Sequence, residues 1–150
     1  MTDREGNIVI QPYKSACYCT NLRRSANIIS DFYDAALKDA GLTVAQYYLL
    51  INLSRIGSAN ITHWAAHVGL ERSTMVRNIK LLQARDFVET SEGHGKVFTL
   101  SPEGKRVLDL AVPLWQRAQE QIEDILGKDD TAAVLRLSEK LQGLGRRPGG

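Results

Sequence analysis

Between Arg72 and Lys96 the chain gathers the side-chain types that bond nucleic acid. Arg72, Ser73 and Thr74 stand together, Arg77, Asn78 and Lys80 follow within two helical turns, and His94 and Lys96 close the group. An arginine offers a fork of donors to guanine O6 and N7, and an asparagine pairs with adenine. Short hydroxyls allow close approach to bases or phosphates, and flanking cations neutralise the backbone. Arg77 is the expected base reader, Asn78 a further one if exposed, and Arg72 and Lys80 the expected phosphate contacts. The plainer reading leaves all of them as solvated helix residues, with Ser73 as a cap.

The charge distribution agrees with the first reading. The whole chain carries a formal net charge of only +2 over 150 residues. Residues 1–71 are balanced, residues 72–106 hold seven Lys/Arg against four Asp/Glu, and residues 107–150 are slightly acidic. The excess therefore sits where a phosphate backbone would lie.

Three other sets carry possible chemistry. Cys17 and Cys19 are the chain's two cysteines, too few for a secreted disulfide framework and consistent with a reducing cytoplasm. Two apart on a helix, they point about 200° from each other, which disfavours a bond between them. A buried cysteine acting as a small hydrophobe is the plainer expectation, with redox sensing or metal binding as alternatives. His63 and His67, four apart, would share a helix face, but the one acidic residue nearby, Glu71, lies past the break at Gly69, so a metal site is not expected. An exposed or DNA-facing histidine pair is expected instead, with Trp64 as a packing residue. No metal and no cofactor is expected. No Gly-rich phosphate loop or Gly-x-Ser-x-Gly elbow occurs, so an enzyme is not expected.

These residues need elements to hold them. Apolar residues at Cys19, Leu22, Ala26, Ile29, Tyr33 and Leu37 predict one amphipathic helix from about Ser15 to Ala40, ended by Gly41. Thr43 and Gln46 fit a capping box for a second helix that stops near Gly57. A short helix, Thr62 to Val68, breaks at Gly69, and another follows from Arg72 to Arg85 with Met75, Ile79 and Leu82 inward. Two β-rich runs, Phe87–Thr90 and Lys96–Leu100, are joined by Ser91–Gly95. Helix, tight turn, helix and hairpin in that order is a winged helix-turn-helix, whose second helix enters the major groove. Ser101 and Pro102 then start a helix toward Leu126, which Pro113 should kink or break, and Asp129-Asp130 open a last helix. Its stripe of Val134, Leu137, Leu141 and Leu144 needs cover, as does the first helix, and a second copy of the chain would supply it. The amino terminus lacks the basic and apolar regions of a signal peptide, and no apolar run is long enough to cross a bilayer. The tail Arg146–Gly150 is expected to fray.

The helix order, Gly69-Leu70-Glu71-Arg72-Ser73-Thr74, Arg77, Leu82–Glu89 and Leu100–Gly104 resemble the multiple-antibiotic-resistance regulator (MarR) family of transcription factors. The likeness runs from about Ala16 to Leu144. It implies a mainly α (α+β) fold: a winged helix-turn-helix over about 43–100, with dimerisation helices over about 15–42 and 101–145. It further implies a cytoplasmic homodimer, usually a repressor, that binds a pseudo-palindromic double-stranded operator and releases it on meeting a small phenolic ligand or an oxidant. Asn78 stands where leucine is usual and Leu81 where a basic residue is usual. The wing tip, Glu92–Lys96, has no arginine to enter the minor groove, which leaves His94 or Lys96 to touch phosphate. A winged-helix protein-interaction module without DNA binding is the alternative that the missing arginine favours.

The resemblance also implies two sensing sites. Cys19 matches the reactive cysteine of the family's organic-hydroperoxide sensors, and Tyr33 matches one of its tyrosine partners, while Val44 replaces the second. Arg23, Tyr47, Tyr48 and Trp115, with Tyr18, would form a pocket for a phenolic carboxylate. The same residues also suit an ordinary core and interface.

Overall fold

The computed structural model describes residues 15–93 and 95–145. The chain divides into two compact units, residues 1–32 and 33–150. Helix α1 spans Tyr18–Leu37, later at its start than the predicted Ser15. Ser15 is held outside the helix by Asn21, whose Nδ2 donates to the Ser15 carbonyl at 2.6 Å. At the other end the backbone tightens into a 3₁₀ turn, Lys38–Ala40, and Gly41 ends it at φ 68°, where a side chain would be strained.

Helix α2, Val44–Ile56, opens with the expected reciprocal box: Thr43 Oγ1 accepts from Gln46 N, and Gln46 Oε1 accepts from Thr43 N. Asp34 adds a second anchor, its carboxylate accepting from Val44 N at 2.6 Å. A two-residue strand that the sequence pattern does not reveal, β1 (Ala59–Asn60), follows and pairs antiparallel with Val97 and Phe98. Asn60 then caps α3, Ile61–Val68, by accepting from His63 N at 2.8 Å.

Helix α4 covers Arg72–Ala84, with Glu71 at the cap position and no side-chain cap bond, so Ser73 is not a cap. The hairpin is longer than its hydrophobic runs suggest. Strands β2 (Val88–Gly93) and β3 (Gly95–Leu100) stay paired from Val88↔Leu100 to Gly93↔Gly95, so most of the expected loop is ladder. Sheet order is β1-β3-β2.

Helix α5 runs Pro102–Gln142 under a Ser101 cap. The expected break at Pro113 does not occur; the one non-helical residue is Gly127, at φ 76° and ψ 170°. Pro113 lies on the exposed side of the helix, as does Asp109, whose carbonyl loses its partner, while Ala111 and Ala118 hold the buried side. Gly127 has no Cβ and adopts a backbone that other residues avoid.

One core unites the second unit. Leu50 and Leu53 of α2, Trp64 of α3, Met75 and Leu82 of α4, Phe98 of β3 and Val107 of α5 are all buried in it. It fixes α4 and the hairpin relative to each other. Among the described residues of the first unit, 15–32, none is buried.

Candidate nucleic-acid interface and sensing sites

The core decides how α4 presents its side chains. Met75, Ile79 and Leu82 are buried, as their spacing predicts. Arg72, Ser73, Arg77 and Lys80 are exposed, and Thr74 and Asn78 are half-buried. The helix therefore offers a hydroxyl and cationic face to solvent, which is the arrangement a groove reader needs.

Local bonds pre-set part of that face. Arg72 Nη1 donates to Thr62 Oγ1 at 3.1 Å, which ties the start of α4 to α3. Arg77 Nη2 lies 3.5 Å from Thr74 Oγ1. Asn78 Nδ2 donates to the Thr74 carbonyl at 2.9 Å, so part of its amide is turned back on its own helix. That engages one of the donor hydrogens an adenine contact would draw on.

A groove of about 220 Å³ separates α4 from the wing. Its rim carries Arg72, Lys80 and Lys96, its walls include Ile61, Val76, Ile79 and Phe98, and no carboxylate lines it. Lys96 Nζ stands 5.7 Å from the centroid of the Phe98 ring, which steadies the cation over an apolar base. The structure thus brings Arg72, Lys80 and Lys96 together from two elements distant in sequence. Gln83 also lines this groove, and Thr62 orients Arg72; neither carries a sequence signal beyond its helical spacing. His94 lies outside the described residues.

The cysteines differ from expectation. Both are exposed free thiols and neither acts as a buried hydrophobe. Cys17 occupies the entry to α1, where hydrogen bonds from the Thr20 side chain and backbone hold its thiol below the usual cysteine range. Cys19 Sγ accepts a long bond from Arg23 Nη2 at 3.7 Å. Arg23 is thereby engaged within its own helix.

The aromatic residues separate into two places. Trp115 of α5 lies between Tyr47, at 5.7 Å and 20°, and Tyr33, at 6.5 Å and 14°. Tyr33 donates its hydroxyl to Gln119 Oε1, and Gln119 Nε2 donates to Glu123 at 3.0 Å. Burial, then the Glu123 charge, pushes the Tyr33 phenol up; burial likewise raises Tyr47, with Arg55 opposing. Tyr48 is not part of this stack. One residue on, it turns about 100° around α2 and is 47% exposed beside His67 and Gly69.

His63 and His67 are exposed, with ring centroids 6.5 Å apart and nearly perpendicular. Among the described residues no group of three His, Cys, Asp or Glu is placed to hold a metal. Trp64 is fully buried and packs on Phe98 at 6.0 Å. No helix of the described residues is long and apolar enough to cross a membrane.

Comparison with known proteins supplies the remaining link. Residues 40–96 match the sequence profile of the MarR family. No curated protein sequence matches the chain. Among solved structures, the Mycobacterium tuberculosis transcriptional regulator MosR is 30% identical, with a TM-score of 0.69 over 88% of this chain and 95% of that one. MosR in complex with DNA is 27% identical with a TM-score of 0.76, over 87% of this chain and 99% of that one. Bordetella bronchiseptica BpsR, solved in work on regulation of its DNA binding by 6-hydroxynicotinic acid, shares the fold at 22% identity and a TM-score of 0.77, over 89% of this chain and 99% of that one. The helix order, the short three-stranded wing and these matches agree: this chain belongs to the MarR family of winged helix-turn-helix, DNA-binding transcriptional regulators.

Proposed function

We propose that the chain works as a homodimer that represses transcription by binding a pseudo-palindromic operator, and that a small effector releases it. The observation that carries the reading is the carboxylate-free groove between α4 and the wing, rimmed by Arg72, Lys80 and Lys96. A phosphodiester fits this setting, with Arg77 and Ser73 on the adjacent exposed face aimed at base edges. The wing then contributes through Lys96 to phosphate, in place of an arginine in the minor groove. MosR has been solved on DNA, which supports the same use of this chain.

Residues 15–42 and 101–145 serve dimerisation in this reading, and residues 43–100 bind DNA. Tyr18, Leu22, Ile28 and Ile29 on α1 are exposed, as are Val134, Leu137 and Leu141 near the end of α5. Such apolar rows are stable in water when a second copy covers them. Both faces of the Trp115 ring are taken by Tyr33 and Tyr47, so an aromatic effector would act by displacing one of these stacks. A gel shift with the chain's own upstream DNA tests the reading. Retarded, discrete complexes that weaken at least tenfold with Arg77→Ala are expected. Weak binding indifferent to Arg77→Ala points to the protein-interaction module instead.

A second reading of the signal has its own observation: two exposed thiols, one held below the usual range and one bonded to Arg23. A thiolate attacks the distal oxygen of an organic hydroperoxide, giving a cysteine sulfenic acid and releasing an alcohol. Operator affinity before and after organic hydroperoxide, in the unaltered chain and in Cys19→Ser, tests it. Equal affinity in the oxidised and reduced unaltered chain rules out this signal.

A further inference from the structure

Leu81 is the one large apolar side chain displayed on the outer face of α4, 57% exposed. It follows Arg77 by one turn and stands beside Lys80. The groove residues Arg72, Val76, Lys80 and Gln83 form one edge of the helix, toward the wing. Thr74, Asn78 and Leu81, at spacings of four and three, form the opposite edge. Asn78 is drawn back onto the Thr74 carbonyl and only half-buried, which leaves the Leu81 side chain prominent on that edge.

We propose that Leu81 reads a thymine 5-methyl group in the major groove and so helps to set operator specificity. The proposal rests on the DNA-binding reading above. With a phosphate seated in the wing groove, the far edge of α4 lies over base edges. Among the groups that bases display in the major groove, the thymine methyl is the apolar one, and it complements an aliphatic side chain. Contact between the two removes both from water, while cytosine lacks the methyl and offers leucine no apolar partner. The operator should therefore carry a thymine within two base pairs of the guanine that Arg77 requires.

The test uses the full chain. Duplexes are selected from a random library by the unaltered protein, Leu81→Ala, Leu81→Met and Arg77→Ala, with circular dichroism as the folding control. The expected consensus contains a thymine whose replacement by deoxyuridine weakens the unaltered protein about fourfold, the size of one buried methyl. Leu81→Met should keep that discrimination, and Leu81→Ala should bind the thymine and uracil duplexes equally. Selection of a consensus with no thymine–uracil discrimination, or discrimination that survives in Leu81→Ala, overturns the role of Leu81 alone. Failure of the unaltered protein to enrich any duplex overturns the DNA-binding reading and this role with it.

Discussion

Arg85 reaches from the end of the recognition helix to the corner before α2, where its Nη1 donates to the Gly41 carbonyl at 2.6 Å. The same guanidinium lies 4.5 Å from the centroid of the Phe87 ring. One exposed side chain thereby links α4 to the turn in which α1 ends. Arg85→Ala removes both contacts and should cost about 1 kcal/mol. Arg85→Lys keeps a donor but not the flat stacking surface, and should lose less. Urea unfolding followed by tryptophan fluorescence measures both changes; an unchanged midpoint in Arg85→Ala contradicts the link.

The joint between α4, the hairpin and α5 is more demanding. Ser101 Oγ donates to the Asp86 carbonyl and accepts from Gly104 N at 2.8 Å, while Ser101 N donates to the Phe87 carbonyl. A Cβ on Gly104 would stand 2.0 Å from the Phe87 carbonyl oxygen. Gly104→Ala should therefore destabilise by about 3 kcal/mol, because backbone, not a side chain, must move. Ser101→Ala loses a cap and leaves a carbonyl unpaired, for about 2 kcal/mol. Thermal unfolding ranks them, and Gly104→Ala should fall furthest.

Alkaline stability follows from the aromatic stack. Tyr33 and Tyr47 have phenols raised by burial, so the folded state holds its protons to higher pH than the unfolded chain. This contribution is complete below the ordinary phenol value of about 10 and is lost as pH rises through the higher folded values. Tyr33→Phe and Tyr47→Phe should each lessen the fall in stability above pH ~10, read from denaturant midpoints at several pH values. Variants that lose stability as steeply as the parent would show that other groups cause the fall.

The Cys17 thiol gives a prediction local to the start of α1. The Thr20 side-chain hydrogen bond is the largest influence lowering it. In a Cys19→Ser background, the pH profile of alkylation by iodoacetamide should have its midpoint below that of a free thiol. Thr20→Ala should move that midpoint up. An unshifted profile removes the physical basis for a reactive Cys17.

Much of this architecture is legible in the sequence wherever a local signal decides the geometry. Thr43 with Gln46, Gly69, and Ser101 followed by Pro102 act within a turn of themselves, and each stands where its spacing predicts. The inward row of Met75, Ile79 and Leu82 is equally local. The misses are long-range. Strand β1 exists because Ala59 and Asn60 find Phe98 and Val97, nearly forty residues on. The hairpin extends through polar residues because its register continues, not because its side chains favour strand. Pro113 is overridden by packing on the buried side of α5, whereas the break at Gly127 falls between Leu126 and Asp129, where the two helix patterns meet in the sequence. The cationic rim was visible residue by residue, but its convergence on one groove required the wing to fold against α4.

The central claim is that Arg72, Lys80 and Lys96 seat the phosphate backbone. Fluorescence anisotropy of an operator duplex, titrated at several salt concentrations, measures it most directly. The logarithm of affinity should fall steeply with the logarithm of salt. Alanine at all three positions should flatten that slope by about 0.9 per lost phosphate contact, roughly 2 for a dimer with one phosphate in each groove. A triple variant with the parent's slope, or a parent slope near zero, would contradict the account.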